Sequence, residues 1–198
     1  MRVTVFDYGA GNLHSLLKAL QTPGVTIHIE PNPKLAVNTD VLVLPGVGAF
    51  SSAAACLRPG ADVMRRAIND GLPCLGVCLG MQLLFDLSEE GPGRGLGVIP
   101  GSVRRLRASH VPQIGWNTLD EATEPVVAQS ELRDVYYANS YVCEPVDERC
   151  VAAWSTHDDD RFVAVVRQAR VLGVQFHPEK SSQPGVRMLH EFLREVRT

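Results

Sequence analysis

The chain of 198 residues contains no apolar segment long enough to cross a bilayer. Its longest uncharged apolar run, residues 72–81, holds two glycines and a proline and falls far short of the ~20 residues a spanning helix requires. The apolar start at residues 3–6 is broken at once by Asp7, which leaves no core for a signal peptide. An excess of one charge is also missing, since 19 Lys+Arg against 22 Asp+Glu give a net charge of −3. That balance argues against a protein held by bulk charge to nucleic acid or to an anionic membrane. Cysteines number five, which is odd, and none are paired at C-x-x-C spacing, so neither a disulfide framework nor a metal site is expected. The expectation is a soluble, cytoplasmic protein without metal or cofactor.

What is present is enough for a core. Hydrophobic residues make up 45% of the chain, and a chain of this size buries about 70% of the surface its unfolded form exposes. No break in composition divides it, so one domain over residues 1–198 is expected. Short runs rich in Val, Ile and Leu alternate with helical patterns in the first half, which predicts a parallel sheet built from βαβ units. Strands are expected at residues 3–6, 26–30, 41–44 and 74–77, with helices at 13–20, 61–70 and 79–87. Beyond residue 97 period-two stretches at 102–106, 113–119, 136–142, 162–167 and 171–176 predict further, partly antiparallel strands. Val186, Leu189, Phe192, Leu193 and Val196 mark one face of a closing helix that starts after Pro184. The expected class is a three-layer α/β fold.

Gly76-Val77-Cys78-Leu79-Gly80 leaves a buried strand and opens a helix, the pattern of a nucleophile elbow with cysteine in the reactive position. A sharp strand-to-helix turn leaves no room for a Cβ at either glycine, and the N–H groups and dipole at the helix start favour a thiolate. The plainer alternative, a small buried hydrophobe, suits Cys74 better. Gln175-Phe176-His177-Pro178-Glu179 offers a base and a carboxylate: in an extended segment His177 and Glu179 project to one side, and the strand ends where ligand crevices of open α/β sheets lie. Pro45-Gly46-Val47-Gly48-Ala49-Phe50 leaves strand 41–44 on the same rim. Its glycines let the Val47 N–H turn toward an oxyanion, with the Leu79 N–H as second donor.

Other candidates carry less. Gly9-Ala10-Gly11 suggests a dinucleotide loop, but His14 stands where its third glycine belongs. Arg104, Arg105 and Arg107 are expected on a solvated strand edge, and His157-Asp158-Asp159-Asp160 in a solvated turn.

Together, Gly76 to Gln82 and Phe176-His177-Pro178-Glu179 resemble the class I, triad-type glutamine amidotransferases. Asp7-Tyr8-Gly9-Ala10-Gly11-Asn12-Leu13, the 45–50 loop, Gly115-Trp116-Asn117 and Glu179-Lys180-Ser181 are similar to the glutaminase subunits of imidazole glycerol phosphate synthases. The resemblance implies a triad of Cys78, His177 and Glu179 with Val47 and Leu79 as oxyanion donors. It implies Gly46, Gly48, Gln82, Glu90, Ser140 and Tyr141 as substrate contacts, and glutamine as substrate. It further implies a heterodimer with a (β/α)₈ cyclase subunit, which receives the ammonia, reached through Asn12, Trp116, Tyr136 and Lys180. For Trp116 a place in the core is equally open. Gln113 and Asn139 stand where the family has histidine. Three readings remain at this point: the partnered glutaminase or that of another class I amidotransferase, a free-standing cysteine hydrolase of the γ-glutamyl hydrolase kind, and a binding subunit with a decayed site. Gln82 and His177-Pro178-Glu179 favour a glutaminase.

Overall fold

The computed structural model describes residues 1–9, 11 and 13–197. In chain order its elements are β1 (Arg2–Phe6), α1 (His14–Leu20), β2 (Thr26–Glu30), β3 (Val41–Leu44), α2 (Phe50–Leu57), α3 (Ala61–Asn69), β4 (Cys74–Val77) and α4 (Leu79–Gln82). They continue with β5 (Leu87–Ser88), β6 (Gly101–Arg105), β7 (Gln113–Thr118), α5 (Pro125–Gln129), β8 (Asp134–Asn139) and β9 (Tyr141–Pro145). The last are β10 (Val151–His157), β11 (Asp160–Gln168), β12 (Val171–Val174) and α6 (Ser182–Glu195).

Seven strands form the central sheet in the order β10-β11-β12-β4-β3-β1-β2. From β12 to β2 all neighbours are parallel, and β11 and β10 extend the sheet antiparallel. Strands β3, β4 and β12 are buried along their whole length, as strands covered on both faces must be. Alternate residues still go to opposite sides. Val41 and Val43 join the core that holds Leu16, Leu20, Leu189 and Phe192 of α1 and α6. Leu42 and Leu44 join the core that holds Phe50, Leu57, Met64 and Ile68 of α2 and α3. Helices therefore cover both faces and the three-layer α/β architecture follows. Beside the main sheet stand a three-stranded sheet, β5-β6-β9, and the antiparallel ribbon β7-β8. Among the described residues no helix is long and apolar enough to cross a membrane.

Four expectations are corrected. The helix expected over 79–87 is a single turn, because Leu83, Leu84, Phe85 and Asp86 give their carbonyls to N–H groups of the 95–99 segment instead of to their own helix. Helix α2 lies where none was expected. The stretch expected as one strand over 136–142 breaks at Ser140, β8 pairing with β7 and β9 with β6. The closing helix starts at Ser182, so that Pro184 lies in its first turn, where a missing N–H costs nothing.

In the basic cluster Arg105 and Arg107 are exposed as expected, but Arg104 is not. Arg104 and Asp160 are each only 7% exposed. The guanidinium donates to both carboxylate oxygens at 2.7 and 2.8 Å, the Arg107 N–H adds a third hydrogen bond at 2.7 Å, and Glu144 lies 3.3 Å from Arg104 Nε. This buried pair clasps the small sheet to the start of β11. Burial pushes the Asp160 carboxyl up, but Arg104 and the Arg107 N–H outweigh it and hold it below its ordinary value. A depressed carboxyl stabilises the fold above its unfolded value, about 3.9, and that contribution is lost as the pH falls through the lowered one. Removing one partner of a buried pair typically costs about 3 to 5 kcal/mol. Asp160→Ala is therefore expected to lower the unfolding free energy in urea by about that amount at neutral pH, and by less at strongly acid pH. A loss under about 1 kcal/mol at neutral pH would show that the clasp is not needed.

Candidate active site

The end of β4 and the first turn of α4 hold Cys78 at φ 48 and ψ −106, a backbone conformation that L-residues rarely adopt. Its N–H donates to Val174 O at 2.7 Å, so the elbow is tied to the neighbouring strand β12. The flanking glycines are required by close approach. A Cβ on Gly76 would lie 2.7 Å from Gly80 O, and one on Gly80 only 1.9 Å from Leu44 O. With α4 reduced to one turn, a macrodipole contributes little to a thiolate at Cys78, and the burden of stabilising it passes to side chains.

His177 follows β12 and is fixed by its own backbone. Its N–H donates to Tyr136 O at 2.8 Å, and its carbonyl accepts from Ser181 Oγ at 2.7 Å. The same hydroxyl accepts the Tyr136 N–H at 3.0 Å. Pro178–Lys180 forms a 3₁₀ turn, not the extended segment expected, and the turn carries the Glu179 carboxylate to 2.8 Å from His177 Nδ1. Burial lowers the affinity of this imidazole for a proton. Cys78, by charge and by a side-chain hydrogen bond, and Glu179 outweigh burial and raise it to about 10. The imidazole thus interacts with the thiol on one side and the carboxylate on the other, the order needed for proton transfer from sulfur with the ring held in one orientation.

A cavity of about 210 Å³ opens beside Cys78, lined by Gly46, Gly48, Cys78, Leu79, Gln82, Glu90, Ala138, Asn139, Ser140 and Tyr141. Every residue that the sequence marks as a substrate contact is among them. Gly46 is wedged in place, since a Cβ there would lie 2.9 Å from Cys78 Cβ and 3.0 Å from His177 Cε1. Its role is close approach, where sequence reasoning assigned it freedom to rotate. Gly48, at φ 102, keeps that freedom. Val47 is half-buried and does not line the cavity. Its side chain fills the hollow over Gly11, where a Cβ would come within 2.7 Å of Val47 Cβ. The Glu90 carboxylate accepts the Phe50 N–H at 3.0 Å, which binds the cavity wall to the start of α2. Among the described residues no group of three or more His, Cys, Asp or Glu side chains is gathered that would hold a metal ion.

Two residues near the site were missed. Ser181, the hydroxyl clamp on His177, stands in the Glu179-Lys180-Ser181 motif, but its role was not assigned. Gln175, fully buried, sends Nε2 to within 3.5 Å of Cys78 Sγ. It stands two residues before His177, so the alternation that was applied to His177 and Glu179 would have found it.

Trp116 and Tyr136 of the β7-β8 ribbon are brought together with Lys180 of the 178–180 turn. The rings of Trp116 and Tyr136 meet edge to face at 6.1 Å, and Lys180 Nζ lies 5.8 Å from the Tyr136 ring centre. Trp116 is 55% exposed, which overturns a place in the core, and Ile114, two residues away on the same face, is 68% exposed. Asn12 lies outside the described residues. The patch is one backbone hydrogen bond from the triad, through Tyr136 O.

The chain matches the family model for glutamine amidotransferase class-I over residues 4–196. It is 41% identical to imidazole glycerol phosphate synthase subunit HisH of Microcystis aeruginosa, covering 98% of this chain and 95% of that protein. It is also 41% identical to the subunit of the same name from Thermus thermophilus, covering 96% and 95%. The solved structure of PurLQS from Thermotoga maritima superposes with a TM-score of 0.72 at 21% identity, over 98% of each chain, a likeness of fold.

The electrostatics of the site give a direct test. Because Cys78 supplies the largest effects that raise the His177 proton affinity, Cys78→Ser should lower the pH at which the imidazole titrates in an NMR experiment. An unchanged titration in the folded variant would show that Cys78 and His177 do not interact electrostatically.

Proposed function

The chain belongs to the class I glutamine amidotransferase family, and on that premise we propose that it is the glutaminase subunit of an imidazole glycerol phosphate synthase, serving histidine biosynthesis. The observation that carries the reading is the alignment of Cys78, His177 and Glu179 at a cavity whose wall holds Gln82, Glu90, Ser140 and Tyr141.

The Cys78 thiolate attacks the side-chain amide carbon of glutamine. As the carbon becomes tetrahedral, its oxygen takes the negative charge, to which the N–H groups of Leu79 and Val47 donate hydrogen bonds. The Val47 N–H belongs to the peptide it shares with Gly46, so that peptide must present it to the cavity for Val47 to act as a donor. The His177 imidazolium then gives its proton to the amide nitrogen, the C–N bond breaks, and ammonia departs, leaving a γ-glutamyl thioester on sulfur. Neutral His177 next takes a proton from water, whose hydroxyl attacks the thioester, and glutamate and the thiolate are released. Glu179 keeps the ring oriented and stabilises it while charged.

Gly46, Gly48, Gln82, Glu90, Ser140 and Tyr141 hold the substrate, with the α-amino and carboxylate groups falling to Gln82, Glu90, Ser140 and Tyr141. Both hydrogens of Gln82 Nε2 are engaged, by Tyr141 O at 3.1 Å and Gln175 Oε1 at 3.2 Å, so Oε1 is the end left for a donor such as the α-ammonium group. Residues 1–198 act as one amidotransferase domain in the cytoplasm. The partner is a (β/α)₈ cyclase, bound as a heterodimer through Asn12, Trp116, Tyr136 and Lys180. It joins the ammonia to a phosphoribulosyl formimino carboxamide ribonucleotide, giving imidazole glycerol phosphate and an aminoimidazole carboxamide ribonucleotide. Trp and Tyr anchors with an adjoining lysine suit such a docking face.

Glutamine labelled with ¹⁵N at its side-chain amide, supplied to the chain with the cyclase subunit and the ribonucleotide, should deliver the label to imidazole glycerol phosphate. The chain alone should hydrolyse glutamine at least about a hundredfold more slowly, the size of effect expected when one oxyanion donor is out of place. Cys78→Ala should abolish hydrolysis in both settings. Equal hydrolysis with and without the cyclase would contradict the partnered reading and favour a free-standing hydrolase.

A further inference from the structure

We propose that Gln175 is a positioning residue for the nucleophile: it donates a hydrogen bond to the Cys78 thiolate from a side chain whose orientation is locked by the wall of the substrate cavity. The inference deepens the glutaminase reading and rests on it for the chemistry that Cys78 performs.

The geometry starts from a group whose polarity is beyond choice. Tyr141 O is a backbone carbonyl and can only accept. Gln82 lies 3.1 Å from it, so the atom facing it is Nε2. The same Nε2 lies 3.2 Å from the Gln175 amide, which must therefore present Oε1 to it. That leaves Gln175 Nε2 facing Cys78 Sγ at 3.5 Å as a donor. Reversing the Gln82 amide would set oxygen against oxygen, and reversing the Gln175 amide would set NH2 against NH2, in either case at the cost of buried hydrogen bonds. Gln175 is in turn fixed by its own N–H, which donates to Ala164 O at 2.9 Å, and by complete burial. The sulfur thus faces two donors, the imidazole and the amide, and both are better partners for a thiolate than for a thiol.

The arrangement answers the shortness of α4, whose single turn gives Cys78 little dipole to lean on. It also links the nucleophile to Gln82. A ligand that pulls on Gln82 Oε1 acts on the same amide chain that ends on sulfur.

The ionisable side chains that sense Cys78 are His177, Tyr8, Tyr137 and Cys143. Burial pushes the two tyrosines and Cys143 up, so they stay neutral near pH 7, while Cys78 and Glu179 raise the proton affinity of His177. A shift in Cys78 reactivity caused by a neutral change at Gln175 therefore reports the hydrogen bond and no new charge.

The test uses the full chain. Alkylation of Cys78 by iodoacetamide is followed by mass spectrometry from about pH 5 to about pH 10, because only the thiolate reacts. Glutamine hydrolysis by the complex with the cyclase subunit is measured alongside. Gln175→Met keeps the volume and removes the donor, and Gln175→Asn keeps the amide and withdraws it from sulfur. Both variants, with folding checked by thermal unfolding, should move the alkylation midpoint up by about one pH unit or more. Hydrolysis at neutral pH should fall by about tenfold to a hundredfold, mainly in kcat, and the deficit should shrink as the pH is raised past the new midpoint. A merely structural defect would lower the rate equally at every pH. An unmoved midpoint in either folded variant overturns the proposal. If the unmodified complex fails to hydrolyse glutamine, the glutaminase reading falls, while the alkylation midpoint still decides Gln175.

Discussion

The conformation of Cys78 governs the surrounding structure. A non-glycine residue at positive φ costs about 1 to 3 kcal/mol and persists only where its neighbours over-determine it. Here the neighbours are two parallel strands and a helical turn in near contact. Cys78 N–H is spent on Val174 O, Gly76 is pressed against Gly80, and Gly80 rests on the carbonyl of Leu44. The last two of these contacts close only without a side chain. The sheet order follows from the same demand, since β3 and β12 must flank β4 for their carboxyl ends to bring Gly46 and His177 against the sulfur.

Around that fixed point the polar groups form a continuous framework. The Ser181 hydroxyl joins Tyr136 to His177, Glu179 holds the imidazole, and Gln175 and Gln82 connect the sulfur to Tyr141. Strands β8 and β9 therefore serve both ends of the site. The break between them at Ser140 turns one strand toward the exposed ribbon and the other into the small sheet that carries the cavity wall. Packing of this kind, with few alternatives for any one side chain, is what an attack geometry requires, because a displacement near 1 Å costs about a hundredfold in rate.

The elbow was legible in the sequence because its cause is local: two glycines around one strained residue, read within five positions. Strands 41–44 and 74–77 were legible for a similar reason, being short apolar runs buried within a parallel sheet, whereas 26–30 is a largely exposed edge strand. What escaped depended on residues far away in the chain. The length of α4 is decided by hydrogen bonds from the 95–99 segment, which no helical periodicity contains. Arg104 and Asp160 read as surface charges until the fold brings residues 56 positions apart into a buried pair. Gln175 reaches a partner 97 positions away. Trp116 was open between core and surface because a two-stranded ribbon has one face of each kind, and its register decides which.

The account stands on one atom, the sulfur of Cys78, set apart from four other cysteines by backbone strain and by its partners. Incubation with a diazo-oxo analogue of glutamine, followed by digestion and peptide mapping by mass spectrometry, tests this most directly. The account predicts a single adduct, on Cys78, formed faster when the cyclase subunit is present. An adduct on Cys74 or Cys143, or none on Cys78 in the folded complex, would contradict it.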